Sequence, residues 1–365
     1  MKKILCLIDG FTLGGAERQL IGLASLLKQN GYEVELGSYI ESDFYTKLIS
    51  ECGLNHTILK VKQNALSKLL AVRSHIRKNN YDVIIAYKDG PTIISCLIKL
   101  FRAKFKLIVS ERNTTQNLSK KDYIKFWLYR FSDYIVPNSY SQEKFIRSHY
   151  PKLGIRTITI TNFTDIEHFQ PAKNNHHDRL IILTAARIAR QKNILNYISA
   201  VKKVVDRNVH LRFVWYGDIQ KGQEEYGKEC MNRIKELNLE SIFEFRPASK
   251  NILTEYQNCD VFCLPSIYEG YPNVICEAMS CGKPIICSNV CDNPFIVEKN
   301  KNGYMFNPYD VDDIKNKILK ICSLSYSERL LLGKYSRKIA EERFSEKMFV
   351  NKYIKLIESK CETNT

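Results

Sequence analysis

Residues 264–286 read LPSIYEGYPNVICEAMSCGKPII, in order the end of a strand, a loop, a helix and the start of another strand. The run DVFCL at 260–264 is apolar and stops at Pro265. Pro272 stands where prolines favour the first turn of a helix, and Gly282 is placed to end that helix before KPIICS at 283–288. A strand, a crossover helix and a second strand in this rhythm make a parallel sheet. Glu269 falls in the loop and Glu277 a little over a turn into the helix, so both can face one cleft. Carboxylates there suit sugar and ribose, because they accept hydrogen bonds from paired hydroxyls. Two glutamates eight apart are common by chance; the surrounding loop is what singles them out.

The same alternation extends in both directions. LIILTAA, HLRFVWYG and IFEFRP precede this unit in the second half, while KKILCLID, YEVELGSY, YDVIIAY, FKLIVSE, DYIVPN and RTITITN read as strands in the first. Helices are expected to begin near Ala16, Leu66, Thr92, Lys120 and Ser141. The rhythm breaks at PAKNNHHDR, residues 171–179, and restarts with LIILTAARIA. The expected architecture is therefore α/β, with two Rossmann-like doubly wound domains facing a cleft. The first spans 1–170, the second 171–345, and a final helix with tail, 346–365, packs back on the first. A length of 365 residues suits two domains at roughly 100–200 residues each. In such sheets ligands bind beyond the carboxyl ends of the strands.

Composition narrows the function classes. No apolar stretch approaches the ~18 residues that span a bilayer, and MKKILCLIDG has no cleavage site of the kind a secretory signal needs. The expected setting is cytoplasmic, soluble or peripheral. The twelve cysteines are dispersed, and Cys6, Cys96 and Cys263 lie in apolar runs, as buried thiols do. Neither Cys259/Cys263 nor Cys287/Cys291 is a close pair with the accompanying histidines that zinc sites usually show, so no metal is expected. The net charge of +16 is concentrated: residues 60–130 hold sixteen Lys or Arg against four Asp or Glu. CLIKLFRAKFKLI and KKDYIKFWLYRF, with Lys99, Arg102, Lys104 and Lys106 among their cations, suit amphipathic helices on an anionic lipid surface. A solvated basic face explains the same charge. Nucleic acid is not an expected partner, since no helix-turn-helix, zinc-finger or ribonucleoprotein signature accompanies the charge.

Two further loops carry chemistry. GFTLGGAER places Gly14 and Gly15 at a helix N-terminus, where backbone amides and the helix dipole can seat a phosphate; a tight turn alone also explains the pair. The loop lacks the Walker lysine and the full dinucleotide spacing. AARIARQKN sets Arg187 and Lys192 five apart after a strand. A guanidinium fork and an ammonium converging on one spot suit a diphosphate, and a solvated basic loop is the alternative.

Taken together, GGAER at 14–18, SERN at 110–113, PNS at 137–139, NFTDIEHF at 162–169, the Arg187/Lys192 pair, YGD at 216–218 and EGYPNVICEAMSCGKP resemble the retaining glycosyltransferases of family 4, which have the GT-B fold. The resemblance covers nearly the whole chain. It implies that Arg187 and Lys192 hold the donor diphosphate and stabilise the leaving nucleotide, with Glu269 contacting the transferred sugar as the third catalytic residue. Glu277 would bind the ribose, near Gly270, Tyr271, Pro272 and Asn273. Gly217 and the Gly14–Gly15 amides would complete donor binding, the latter approaching the β-phosphate as the cleft closes. Glu111, Arg112 and Asn113 replace a histidine common among relatives, a change associated with bacterial surface-polysaccharide enzymes. They would face the donor sugar or acceptor, with a structural ion pair as the alternative for Glu111 and Arg112. Two departures stand out: Phe163 occupies the usual glycine position of the interdomain turn, and Ile219 replaces the second glycine of a pair.

The implied activity is metal-independent transfer, without cofactor, of a hexose or N-acetylhexosamine from a UDP-sugar, or a GDP-sugar, to a lipid-linked saccharide in O-antigen, capsule or exopolysaccharide synthesis. Another enzyme on the same fold, a sugar-nucleotide epimerase or phosphorylase, is the alternative, because fold alone does not fix chemistry. A basic nucleic-acid-binding protein is a more distant one.

Overall fold

A computed structural model describes residues 1–12, 14–62, 64–101, 103–112, 114–115, 118–172, 179–207, 211–249 and 251–359. Arg102, Asn113, the CETNT tail and most of the expected linker at 171–179 lie outside them. The chain divides into two compact units: Met1–Phe163 with Glu346–Thr365, and Thr164–Ser345. The first unit thus ends at Phe163, ahead of the expected boundary at residue 170. Among the described residues no helix is long and apolar enough to cross a membrane.

The first unit holds six parallel strands, β1 (Lys3–Leu7), β2 (Glu33–Ser38), β3 (Asn55–Ile58), β4 (Val83–Tyr87), β5 (Lys106–Glu111) and β6 (Tyr134–Pro137), in the order β3-β2-β1-β4-β5-β6. Successive side chains of a strand point to opposite faces, and β1 shows it. Ile4, Cys6 and Ile8 enter the core beneath the Gly15–Gln29 helix, while Leu5 and Leu7 enter the core on the other face. The cysteines placed in apolar runs are buried free thiols, and burial pushes the pKa of Cys6, Cys96 and Cys263 up to about 12.

The final helix, Glu346–Glu358, belongs to this first core. Phe349, Val350, Tyr353, Leu356 and Ile357 form its buried face, and the Tyr353 hydroxyl lies 3.0 Å from that of Tyr87. Its last turn is capped by lysine. Lys106 Nζ donates to the Leu356 and Ile357 carbonyls at 2.8 and 2.9 Å, satisfying groups that have no partner within the helix.

That geometry corrects the lipid-facing role given to two lysines. Lys106 is only 8% exposed, and Lys99 is tied to Asp133 and to the Phe105 carbonyl. The exposed amphipathic surface lies instead on the Lys120–Leu128 helix. Tyr123, Ile124 and Trp127 project there at 55, 60 and 49% exposure, beside the exposed Lys120, Lys121 and Arg130.

RTITITN at 156–162 is not a strand. It follows β6 through three backbone hydrogen bonds and a single bridge from Ile135 to Thr157. Side chains then take over its polar groups: Arg147 binds the Thr157 carbonyl, and the Thr159 hydroxyl donates to Glu143. The sixth strand is β3, whose NHTI sequence carries one apolar residue and sits at the sheet edge.

Phe163 is accommodated by its neighbours. Gln19, itself buried, receives the Phe163 N–H on Oε1 at 3.1 Å and donates to its carbonyl at 2.7 Å. A side chain on Gly22 would collide with the Phe163 ring, which packs against Phe349 at 4.7 Å.

The second unit repeats the plan with β7 (Leu180–Ala185), β8 (Leu211–Tyr216), β9 (Phe243–Arg246), β10 (Val261–Leu264), β11 (Ile285–Ser288) and β12 (Gly303–Phe306). All are parallel, in the order β12-β11-β10-β7-β8-β9. Strand order reverses between β7 and β10 here, and between β1 and β4 in the first unit. Such reversal points open a crevice at the carboxyl ends of the strands.

Candidate active site

In the second unit, the residues singled out by sequence gather at that crevice. β7 ends at Ala185, and Ala186–Ala189 lead into a 3-10 turn, Arg190–Lys192, before the Ile194–Val205 helix. The next loop, after β8, packs on it backbone to backbone: Ala186 N–H donates to Tyr216 and Ile188 N–H to Asp218, both at 2.9 Å. Gly217 makes this approach possible. Its φ is +155°, and a Cβ would lie 2.0 Å from the Ala186 oxygen. Only glycine enters such backbone readily. Ile219, in place of a second glycine, forms an isolated bridge with Ile188 and fills the space over Gly227.

The loop after β10 is fastened to the 3-10 turn. Ile267 N–H donates to the Gln191 carbonyl at 2.8 Å, and Gln191 Nε2 donates to the Tyr268 carbonyl at 2.7 Å. This brings Lys192 Nζ to 2.5 Å from Glu269 Oε1, with both side chains about nine-tenths buried. Charge-assisted bonds in such surroundings are the strong ones. Arg187 differs from Lys192. It is exposed, and among the described residues it has no hydrogen-bond or ion-pair partner. An uncommitted guanidinium five residues from a clamped ammonium is well suited to a ligand with two phosphates.

Glu277 lies on the Asn273–Ser280 helix, is 3% exposed, and accepts a 2.9 Å hydrogen bond from the Tyr256 hydroxyl. Pro272 is the residue before the helix rather than inside its first turn. Tyr271 is buried edge-on to Phe344, ring centroids 6.1 Å apart. It walls the loop, with Gly270 before it and Pro272 and Asn273 after it in sequence. The Ser266 hydroxyl, in the same loop, is buried without a partner among the described residues.

In the first unit, the Gly14–Gly15 turn opens the Gly15–Gln29 helix, with the Tyr45 hydroxyl donating to the Gly14 carbonyl at 3.1 Å. Glu111 is 3% exposed at the end of β5. Lys125 Nζ lies 3.0 Å away, the Tyr129 hydroxyl donates to it, and Gln142 Nε2 approaches at 3.4 Å. Burial pushes the Glu111 carboxyl above its usual range, while the Lys125 charge opposes that rise. The ion-pair alternative for Glu111 and Arg112 needs correcting in its partner. Glu111 pairs with Lys125, whereas Arg112 binds Asn162 and stacks over Tyr87 at 4.6 Å. Both side chains are thus engaged with the protein's own groups.

Two family descriptions match almost the whole sequence: "Glycosyltransferase Family 4" over residues 13–168 and "Glycosyl transferases group 1" over residues 165–339. The chain belongs to the family 4 glycosyltransferases. It is 24% identical to the amylovoran biosynthesis glycosyltransferase AmsD of Erwinia amylovora over 84% of this chain and 86% of that one. It is also 24% identical to the UDP-Gal:alpha-D-GlcNAc-diphosphoundecaprenol alpha-1,3-galactosyltransferase of Escherichia coli, over 85% of each. Among solved structures it resembles HepE of Anabaena, determined with UDP and glucose, with a TM-score of 0.87 at 20% identity over 99% of this chain and 100% of that one. The fold is GT-B, two Rossmann-like α/β units.

Two residues that no motif flagged support the candidate site of this family 4 glycosyltransferase. Gln191 fixes the loop bearing Glu269, and Tyr256 orients Glu277. Gln191 could have been suspected from its place between Arg187 and Lys192. Tyr256, on the Ile252–Asn258 helix before β10, leaves no sequence signal, since buried tyrosines are common in cores.

Proposed function

We propose that this glycosyltransferase moves a hexose or N-acetylhexosamine from a UDP-sugar to a lipid-diphosphate-linked saccharide in bacterial surface-polysaccharide assembly, with retention at the anomeric carbon. The observation that carries the proposal is the Lys192–Glu269 pair beside the uncommitted Arg187, at the carboxyl ends of β7 and β10. Arg187 and Lys192 neutralise the donor diphosphate and the charge that develops as the bond from the anomeric carbon to phosphate oxygen breaks. Glu277 accepts hydrogen bonds from the ribose hydroxyls. Glu269 accepts from the transferred sugar, and its bond with Lys192 holds it in place. The acceptor hydroxyl attacks the face the diphosphate leaves, and its proton passes to the departing phosphate oxygen, so neither a carboxylate nucleophile nor a metal ion is needed.

UDP as the nucleotide and a lipid-diphosphate acceptor are supported by the relative from Escherichia coli, whose name specifies both. We place the enzyme at the inner face of the cell membrane, with the exposed face of the 120–128 helix toward anionic lipid.

The test is to incubate the protein with UDP-sugars and extracted lipid-diphosphate saccharides, following UDP release and the anomeric proton of the product by NMR. Release that requires acceptor, with the α configuration of the donor kept, is expected. An inverted product would remove the retaining assignment. Conversion of the donor without acceptor would indicate an epimerase, and a requirement for free phosphate a phosphorylase.

A further inference from the structure

Ala186 and Ile188 flank Arg187, and all of their backbone hydrogen-bonding groups are committed. Ala186 N–H donates to the Tyr216 carbonyl and Ile188 N–H to that of Asp218, both at 2.9 Å, while the Ile188 carbonyl accepts from Gln220 N–H at 3.1 Å. The fourth group, the Ala186 carbonyl, is taken by a side chain. Trp215 Nε1 donates to it at 2.7 Å. Trp215 belongs to β8 and is wholly buried, and an indole has a single hydrogen to donate.

The indole is itself held in place. Its ring lies 6.2 Å, between centroids, from that of Tyr197 and 6.2 Å from that of Phe245. Tyr197 stands in the first turn of the Ile194–Val205 helix, which begins two residues after Lys192, and Phe245 is on β9. Gly217 leaves room on the other side, since a Cβ there would lie 2.0 Å from the same Ala186 oxygen. Arg187 contrasts with this rigid setting. Its side chain is exposed and, among the described residues, has no hydrogen-bond or ion-pair partner. A cation with no partner is aimed only through its own backbone, so fixing Ala186 and Ile188 sets the direction in which the Arg187 Cα–Cβ bond leaves the chain. Support of this kind lowers the ordering cost that a ligand must meet.

We propose that Trp215 is a positioning residue for Arg187. Its indole N–H, locked between Tyr197 and Phe245, holds the Ala186 carbonyl and so presents the guanidinium to the donor diphosphate. The inference rests on Arg187 holding that diphosphate, as proposed above, and every residue in it belongs to the second unit.

A double-mutant cycle read by calorimetric titration of UDP tests it. Trp215→Phe should weaken UDP about tenfold in the wild-type background. In Arg187→Met the same change should alter UDP binding by less than about twofold, because no guanidinium remains to be positioned. A packing role alone would weaken UDP equally in both backgrounds. The chain has two tryptophans, so in Trp127→Phe, supplied with benzothienylalanine in place of tryptophan, Trp215 alone is exchanged for an isostere with sulfur where the N–H was. That protein keeps the ring shape and should show the same loss of about tenfold against Trp127→Phe made with tryptophan; it decides the matter if Trp215→Phe does not fold. Equal losses in the two backgrounds, or UDP binding by the benzothienylalanine protein within about twofold of its control, would overturn the proposal. A wild-type chain that binds no UDP, or Arg187→Met that binds it as wild type does, overturns the diphosphate assignment itself, and the role of Trp215 with it.

Discussion

Lys125 is a residue whose loss should cost the first unit heavily. It neutralises Glu111 in a site where both side chains are almost wholly buried, and removing one partner of such a pair leaves an uncompensated buried charge. Lys125→Met should therefore destabilise the protein by about 3–5 kcal/mol in urea unfolding, whereas replacing Glu111 and Lys125 together with apolar residues should recover much of that. A loss below about 1 kcal/mol for the single variant would mean that Tyr129 and Gln142 suffice to hold Glu111. Tyr256→Phe probes the second unit in the same spirit. It removes the hydrogen bond to Glu277 while keeping the ring, and should raise the donor KM by several-fold, with Glu277→Ala raising it further. Wild-type kinetics in Glu277→Ala would remove the ribose assignment. Arg187, Lys192, Glu269 and Glu277 were singled out in the sequence by the loops that carry them and by the family resemblance, since spacing alone left chance and a solvated loop open. Their partners were not. The 77-residue separation of Lys192 and Glu269 and the burial of Glu111 are products of sheet order, which no local pattern encodes.

At the level of elements, β2, β3, the Ala65–Asn79 helix and Tyr81, just ahead of β4, are tied by a small polar network. Glu35 accepts from Tyr81 at 2.5 Å and from Thr57 at 2.7 Å, and lies 3.0 Å from His75 Nε2. Burial works against its carboxylate, but these contacts prevail and hold its pKa below the usual value. A carboxyl group lowered in the folded state stabilises the protein above its unfolded pKa, and that contribution is lost as pH falls through the folded one. Glu35→Ala should cost about 1–3 kcal/mol at pH 7, and the gap to wild type should close below about pH 4. A gap constant down to pH 2.5 would contradict the network. The final helix makes a second case. Ending the chain at residue 345 removes Phe349, Val350, Tyr353, Leu356 and Ile357 from the first core, at about 1.5–3 kcal/mol for each large side chain. The shortened protein should unfold its first unit, seen as a lost or lowered transition by calorimetry. The apolar spacing of this helix made it readable in advance, and so did the strands built on continuous apolar runs. β3 was not, because an edge strand needs little apolar sequence. RTITITN misled because alternation alone does not supply free backbone partners.

For the whole molecule, the concentration of charge between residues 60 and 130 was plain in the sequence, but its orientation was not. Lys99 and Lys106 turn inward to Asp133 and to helix carbonyls, and Tyr123, Ile124 and Trp127 turn out. Vesicles containing phosphatidylglycerol should therefore bind the protein in a salt-sensitive way. Ile124→Asp with Trp127→Asp should abolish binding while leaving UDP affinity intact, and unchanged binding would return the face to ordinary solvent exposure. The central claim is that the second unit holds a nucleoside diphosphate through Arg187 and Lys192. It is tested most directly by thermal shift with UDP, GDP, ADP and their sugar conjugates, with and without chelator, in wild type and in the Arg187→Met, Lys192→Met double variant. A ligand that binds only the folded state raises its stability in proportion to the logarithm of occupancy. A rise selective for UDP and its sugars, undiminished by chelator and absent from the folded double variant, is the expected result; no rise with any nucleotide, or an equal rise in the double variant, would contradict it.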